Sequence, residues 1–279
     1  MNSEGIRVGV WSEGHVRQFR GKIHTAKIFQ KFAGIAFRLH ICSTLCVTNK
    51  SVRMAEKAKF PAPWELTGSG VIIFFPANKK RVLELGVLSA EDAAAFRGGF
   101  GAVMLVRYEK ADCGPYDELL YIPGLFEHRG KSYQRITKIF VSSNESVEWG
   151  RRNWAIPKEL AVFDWRQSER EWHIDVSQPD SGASIYSVSL SPRFFSFPVT
   201  TAILPWSVLQ KQEAKYTKGS PFYLETRPSG KGSAKIAFID RVEGSREIPD
   251  YHAVSHGPRI AVAISPFHMT FPVARTVHD

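Results

Sequence analysis

Lys158 follows a proline in the stretch Gly-Arg-Arg-Asn-Trp-Ala-Ile-Pro-Lys-Glu-Leu-Ala, which runs from Gly150 to Ala161. An unperturbed lysine amine has a pKa of about 10.4, is almost wholly protonated at neutral pH, and is a poor nucleophile. Burial among apolar groups, or a neighbouring cation, frees it. Trp154, Ile156, Pro157, Leu160, Val162, Phe163 and Trp165 supply apolar surroundings, and Arg151 and Arg152 are the nearby cations. A second residue of interest is Glu118, in Gly-Pro-Tyr-Asp-Glu-Leu-Leu-Tyr from Gly114 to Tyr121. A buried carboxylic acid moves protons, or holds a substrate carboxylate when it is itself protonated. Taken singly, a lysine after a proline and a glutamate after a Gly-Pro turn are the marks of solvated loop residues.

The two stretches together resemble the acetoacetate decarboxylase family. Its active-site segment runs Gly-Arg-Glu-Leu-Ser-Ala-Tyr-Pro-Lys-Lys-Leu-Gly, matched here by Gly150, Arg151, Ala155, Pro157, Lys158 and Leu160. The family's Tyr-Thr-Glu segment is similar to Tyr116-Asp117-Glu118. The order is also the same: glutamate segment, strand, glycine-arginine, proline-lysine. The correspondence covers residues 60–164 and fades beyond. The resemblance implies that Lys158 forms a Schiff base with a ketone and that Glu118 is the acid/base or orienting group, with Tyr116, Arg151 and Trp154 as substrate-binding residues. The protonated imine would draw electrons from the bond to a β-carboxylate, so decarboxylation of a β-keto acid is the leading expectation. Aldol chemistry or dehydration through the same imine is the alternative. No organic cofactor or metal is implied, because the lysine imine is itself the electron sink. A homo-oligomer is expected by family analogy.

Two positions depart from the pattern. Glu159 stands where the family has its second lysine, and a carboxylate pointing toward Lys158 would favour the ammonium form. Ser69 stands at about the place of the family's arginine near the first strand, which leaves Arg107 or Arg151 as substitutes for anchoring a substrate carboxylate. A different class of function, a non-catalytic barrel binding an apolar ligand such as a lipid or pigment, fits the same aromatic and apolar strands. Catalysis expects Lys158 buried, unpaired and close to Glu118 in an interior cavity. A binding barrel expects it salt-bridged to Glu118 or Glu159, or exposed.

Composition narrows the classes. The chain has 279 residues, 43% hydrophobic and 23% charged, as an ordinary globular protein does. The net charge of +10 is concentrated at the start: residues 1–53 carry nine lysines and arginines against two acids, leaving 28 bases against 25 acids in the rest. A nearly neutral body argues against a nucleic-acid partner. No apolar run approaches the ~20 residues of a membrane span. Residues 1–53 read as a basic extension: a mitochondrial presequence, a lineage-specific helical segment, or sequence upstream of a true start at Met54. The last is favoured, because Met54-Ala55-Glu56-Lys57 leads straight into the body. On this reading residues 54–279 form one domain and the location is cytoplasmic, or mitochondrial if the extension is a presequence. Cys42, Cys46 and Cys113 make no disulfide framework. Cys42-x3-Cys46 and His252-x3-His256 each lack the further ligands a metal site requires.

The elements that position Lys158 and Glu118 read mainly as strands. Val71–Phe75 is a continuous apolar run, Phe100–Tyr108 a clear strand, and Gln134–Val141 a strand with mixed faces. Short helices are expected at Asn78–Leu85 and after Ser89, whose hydroxyl precedes Asp92 at capping distance and whose helix ends at Arg97-Gly98-Gly99. After Asp164, strands are expected at Glu171–Val176, Ser184–Leu190, Arg193–Val199, Pro221–Thr226, Ser233–Ile239, Arg259–Ile264 and His268–Pro272. Turns at Ser191-Pro192 and Pro228–Gly232 separate some of these, and Leu204–Lys218 reads as a polar connection. The fold class is therefore mainly β (α+β): an antiparallel, barrel-like acetoacetate decarboxylase-like fold with few short helices.

Overall fold

The computed structural model describes residues 59–203, 207–217, 220, 222–255, 257 and 259–278. The expectations for residues 1–53, with Cys42 and Cys46, and for His256 lie outside the described residues.

Strands dominate. The first half holds β1 (Trp64–Ala77), α1 (Lys79–Glu84), α2 (Ala90–Ala95), β2 (Phe96–Lys110), β3 (Tyr116–Ile122), β4 (Leu125–His128), β5 (Lys131–Gln134), β6 (Lys138–Val141), α3 (Asn144–Trp154) and β7 (Lys158–Leu160). The second half holds β8 (Val162–Gln167), β9 (Trp172–Ser177), β10 (Ser184–Thr200), β11 (Val208–Lys211), β12 (Phe222–Thr226), β13 (Ser229–Gly244), α4 (Tyr251–Val254), β14 (Ile260–Phe271) and β15 (Arg275–His278). They join one sheet whose main path runs β15-β12-β11-β5-β4-β2-β1-β14-β13-β10-β9-β8, with β3, β6 and β7 branching from β2. Most pairings are antiparallel, but β6 with β7 and β5 with β11 are parallel. The mainly-β class with few short helices is as expected. The expected closure is not: the path ends at β15 and β8 without returning on itself, so the sheet is open rather than a barrel.

Several strands are longer than their sequence signals. Ser191-Pro192 does not turn; both residues lie within β10, where a register shift after Arg193 leaves Phe194–Ser196 unpaired with β13. A bulge absorbs the extra residues and lets one strand run past a proline. Pro228–Gly232 likewise leads directly into β13, and residues 259–272, expected as two strands, form one bulged β14. The described part of Leu204–Lys218 includes β11 and a 3-10 turn, Ala214–Tyr216. The two early helices form where expected, with Asn78 and Ser89 as N-caps accepting from Arg81 and Asp92 backbone N–H groups. Strand β2 begins at Phe96, so Gly98 and Gly99 lie in a strand rather than ending the second helix.

The period of two along the central strands builds two cores on opposite faces. Val71, Ile73 and Phe75 on β1, Val103 and Leu105 on β2, and Leu119 and Tyr121 on β3 pack into one. Leu66, Val106, Tyr108, Tyr116, Leu120 and Ile122 pack on the other with Trp64, Ile139, Val141 and Trp154. Glu118 shares this second face, between Tyr116 and Leu120.

Candidate active site

The second face surrounds a cavity of about 540 Å³. Strands β7, β6, β3, β2, β1, β14 and β13 contribute to its wall, each paired with the next. Lys158 enters from β7, the short strand that follows α3. Ser143 caps α3 by accepting from the Ser146 N–H. Ser146, Gly150 and Trp154, four residues apart, are its buried face. The helix ends at Ala155, whose φ of 57° is left-handed. That residue reverses the chain so that Lys158 runs back past Gly150. A Cβ on Gly150 would lie 2.7 Å from Lys158 Cδ and 2.8 Å from Cε, so the glycine makes room for the lysine stem.

Lys158 is 3% exposed and Glu118 4%. Lys158 Nζ donates to Glu118 Oε2 at 2.8 Å, Ser146 Oγ at 2.9 Å and Tyr116 OH at 3.3 Å. These three acceptors match the three donors of an ammonium group. The Tyr108 hydroxyl donates to Glu118 Oε1 at 3.1 Å, a contact made across the Tyr108–Tyr116 pair of the β2–β3 ladder. Burial, and then the charge of Glu118, raise the Tyr108 and Tyr116 hydroxyls well above the ordinary phenol range. Both therefore stay neutral and act as fixed donors and acceptors. Cys113, in the same core, is pushed up to about 11 by burial, partly offset by the positive charge of Lys158.

Of the five residues singled out from sequence, four meet here. Lys158, Glu118, Tyr116 and Trp154 all line the cavity. Trp154 closes one side, its indole N–H donating to the Pro272 carbonyl at 2.7 Å and its ring edge-on to Trp64 and Phe271. Arg151 does not line the cavity. Its guanidinium donates to the Lys158 carbonyl at 2.8 Å and to Glu213 Oε1 at 2.7 Å, so it fixes the β7 backbone instead. Arg107 is also elsewhere: it pairs with Asp117 at 2.8 Å and lies over the Trp165 ring, on the opposite face to its neighbours Val106 and Tyr108. Neither arginine replaces the one absent at Ser69, which is buried opposite Arg107 in the β1–β2 ladder. Among the described residues lining the cavity there is no arginine.

Glu159 points away from the site. It lies 3.5 Å from Lys138, which also pairs with Glu247, and it is half exposed. Successive residues of a strand face opposite sides, so Lys158 inward requires Glu159 outward. Its substitution for the family's second lysine thus brings no carboxylate to the amine. Of the two arrangements set out from sequence, Lys158 is buried and close to Glu118 in a cavity, as catalysis expects, yet it is ion-paired with Glu118, as a binding protein expects.

Tyr108 and Ser146 were not singled out from sequence. Tyr108 had a signal, since it ends the Phe100–Tyr108 strand and shares its face with Val106. Ser146 had the four-residue spacing to Gly150, which is visible only once 144–154 is read as a helix.

No protein-family model matches the sequence, and no match emerges among curated proteins. Solved structures do match the fold. Acetoacetate decarboxylase from Legionella pneumophila superposes with a TM-score of 0.60 at 13% identity, over 78% of this chain and 88% of that one. The enduracididine biosynthesis enzyme MppR, solved with the condensation product of pyruvate and imidazole 4-carboxaldehyde, gives 0.56 at 12% identity, over 79% and 92%. An acetoacetate decarboxylase-like enzyme from Sphingomonas wittichii gives 0.55 at 12%, over 78% and 94%. The chain therefore has the acetoacetate decarboxylase-like fold, in a highly divergent sequence.

Proposed function

We propose that the protein is a Schiff-base-forming lyase, with Lys158 as the nucleophile, Glu118 as its proton partner and a β-keto acid as substrate. The observation that carries this reading is the buried Lys158–Glu118 contact of 2.8 Å at the wall of the cavity. A buried ion pair costs the desolvation of both charges. Moving one proton from Nζ to Oε2 neutralises both partners and leaves a free amine facing the cavity. The amine attacks the ketone carbon, and Glu118 returns its proton to the departing hydroxyl, which leaves as water. In the protonated imine the bond to the carboxylate breaks, its electron pair moves toward the imine nitrogen, and carbon dioxide departs. A proton returned to the enamine carbon, followed by water addition, releases the ketone and restores the lysine. Tyr108 holds Glu118 in place through Oε1 throughout.

A second reading is aldol-type cleavage or condensation through the same enamine. Among the described residues the cavity wall has no arginine to anchor a carboxylate, and a protein of this fold was solved with a condensation product. The test is borohydride trapping. The protein is incubated with acetoacetate and a panel of β-keto acids and ketones, reduced, and mapped by peptide mass spectrometry. A reduced adduct on Lys158, absent in Lys158→Ala, supports the imine. Carbon dioxide release then separates decarboxylation from aldol chemistry. No adduct with any carbonyl compound leaves the cavity as a site for a non-covalent apolar ligand.

A further inference from the structure

The cavity is much larger than its polar chemistry requires. A water molecule occupies ~30 Å³ of liquid, as a methylene roughly does, so 540 Å³ accommodates on the order of ten to twenty non-hydrogen atoms. Acetoacetate would leave most of it empty. The wall between its polar ends is aliphatic and aromatic, with Ile72, Phe74, Met104, Val262 and Ile264 on the β2-β1-β14 ladder. Among the described residues, ionisable lining groups fall in two places. One is the buried Lys158–Glu118 pair. The other is Lys231 opposite His268 on β13 and β14, both exposed, with His268 also held by Glu65. Five strands separate β7 from β13 along the ladder that wraps the cavity. A polar group on the middle of a bound molecule would lose its water and meet apolar side chains, an unfavourable exchange.

We propose that the substrate is a carbonyl compound with an apolar body of about ten or more carbons, its ketone or aldehyde at Lys158 and its body along the β2-β1-β14 wall. This rests on the imine reading and names the substrate class for that site. The body supplies binding through burial, which a short keto acid cannot do, and it seals the Lys158–Glu118 end from water. Because each methylene buried is worth about a fourfold change in binding, affinity rises steeply with chain length until the wall is filled.

The experiment compares methyl ketones from acetone to methyl nonyl ketone in the full-length protein, reading the ketone concentration that gives half-maximal borohydride adduct on Lys158. In parallel, straight-chain alcohols of the same lengths, which form no imine, are tested for displacement of an apolar fluorophore. The expected result is a fall of about a hundredfold or more in half-maximal ketone concentration across the series, mirrored by the alcohols. Ile72→Trp, which fills the middle of the wall, is expected to weaken the long ketones at least tenfold and to flatten the dependence on chain length. Adducts whose concentration dependence is flat or worsens with chain length overturn the substrate class and leave the imine intact. Length-dependent alcohol binding with no adduct from any ketone overturns the imine reading and the carbonyl head with it.

Discussion

Glu118 divides its two carboxylate oxygens between Lys158, at 2.8 Å from Oε2, and Tyr108, at 3.1 Å from Oε1. One oxygen is thus placed to exchange a proton with the amine while the other is anchored to a phenol that stays neutral. Glu118→Gln keeps the shape and removes the acceptor for that proton. Imine formation is expected to slow by about a hundredfold, the usual scale of a lost acid/base group. Lys158 is left as a buried, uncompensated cation, so stability should fall by about 3–5 kcal/mol. Quenched time courses of borohydride adduct, alongside denaturant unfolding, measure the two effects separately. An unchanged adduct rate would remove Glu118 from the proton path.

Tyr108→Phe tests the anchor rather than the exchange. It deletes one hydrogen bond to a buried carboxylate, costing about 1–3 kcal/mol of stability. Glu118 then loses its fixed orientation, and the adduct rate on Lys158 is expected to fall about tenfold, with the ketone concentration for half-saturation little changed. A loss in saturation alone would instead mean that Tyr108 contacts the substrate, since it too lines the cavity.

Gly150→Ala separates helix stability from lysine placement. Alanine within a helix is favoured over glycine by about 0.5–1 kcal/mol. Its methyl group, however, would sit 2.7 Å from Lys158 Cδ, and the lysine stem must move. The expected outcome is near-normal thermal unfolding with at least a tenfold loss of adduct rate, because displacement of a reacting atom by even ~1 Å is costly. Normal trapping in this variant would show that the Lys158 stem has room to spare.

The residues legible in the sequence were those whose types carry chemistry. Lys158, Glu118 and Tyr116 come together because β3 and β7 both flank β6 and turn them to one face, and Trp154 joins them from the buried face of α3. The outward turn of Glu159 was also implied by strand alternation, once Lys158 is known to begin β7. Arg151 misled because its spacing from Lys158 places it near the amine in sequence, whereas its guanidinium reaches the Lys158 carbonyl and Glu213. The open sheet was not legible, since closure depends on which edge strands meet, and local patterns do not record that. Pro192 and Pro228 are local turn signals, but tertiary pairing carries β10 through the first and begins β13 just after the second.

Cys113 reports on the electrostatics of the same core. Burial raises its thiol to about 11, against the ordinary ~8.5, and the charge of Lys158 limits the rise. At pH 8 its thiolate fraction should be about a hundredfold below that of an ordinary thiol. Peptide-resolved iodoacetamide labelling is expected to climb about tenfold per pH unit up to about pH 11. Lys158→Ala removes a positive charge and should shift that curve to still higher pH. A Cys113 that labels like a free thiol would mean that water reaches this core.

Glu225, which is not among the residues lining the cavity, is expected to contribute to acid stability. Its side chain is buried on β12, and burial alone would push its carboxyl up. Hydrogen bonds from Arg275, Ser207 and Arg227 outweigh this and hold it at about 2. The folded value lies below the unfolded ~4.3, so the stabilisation is present above that pH and is lost as pH falls toward 2. Both arginines are well exposed, which screens the effect, so Glu225→Gln should cost about 1–2 kcal/mol at neutral pH. The difference from wild type should shrink steadily between pH 4.5 and pH 2 in urea unfolding monitored by tryptophan fluorescence. A gap that is independent of pH over that range would mean that lost packing, and not the charge on Glu225, accounts for the effect.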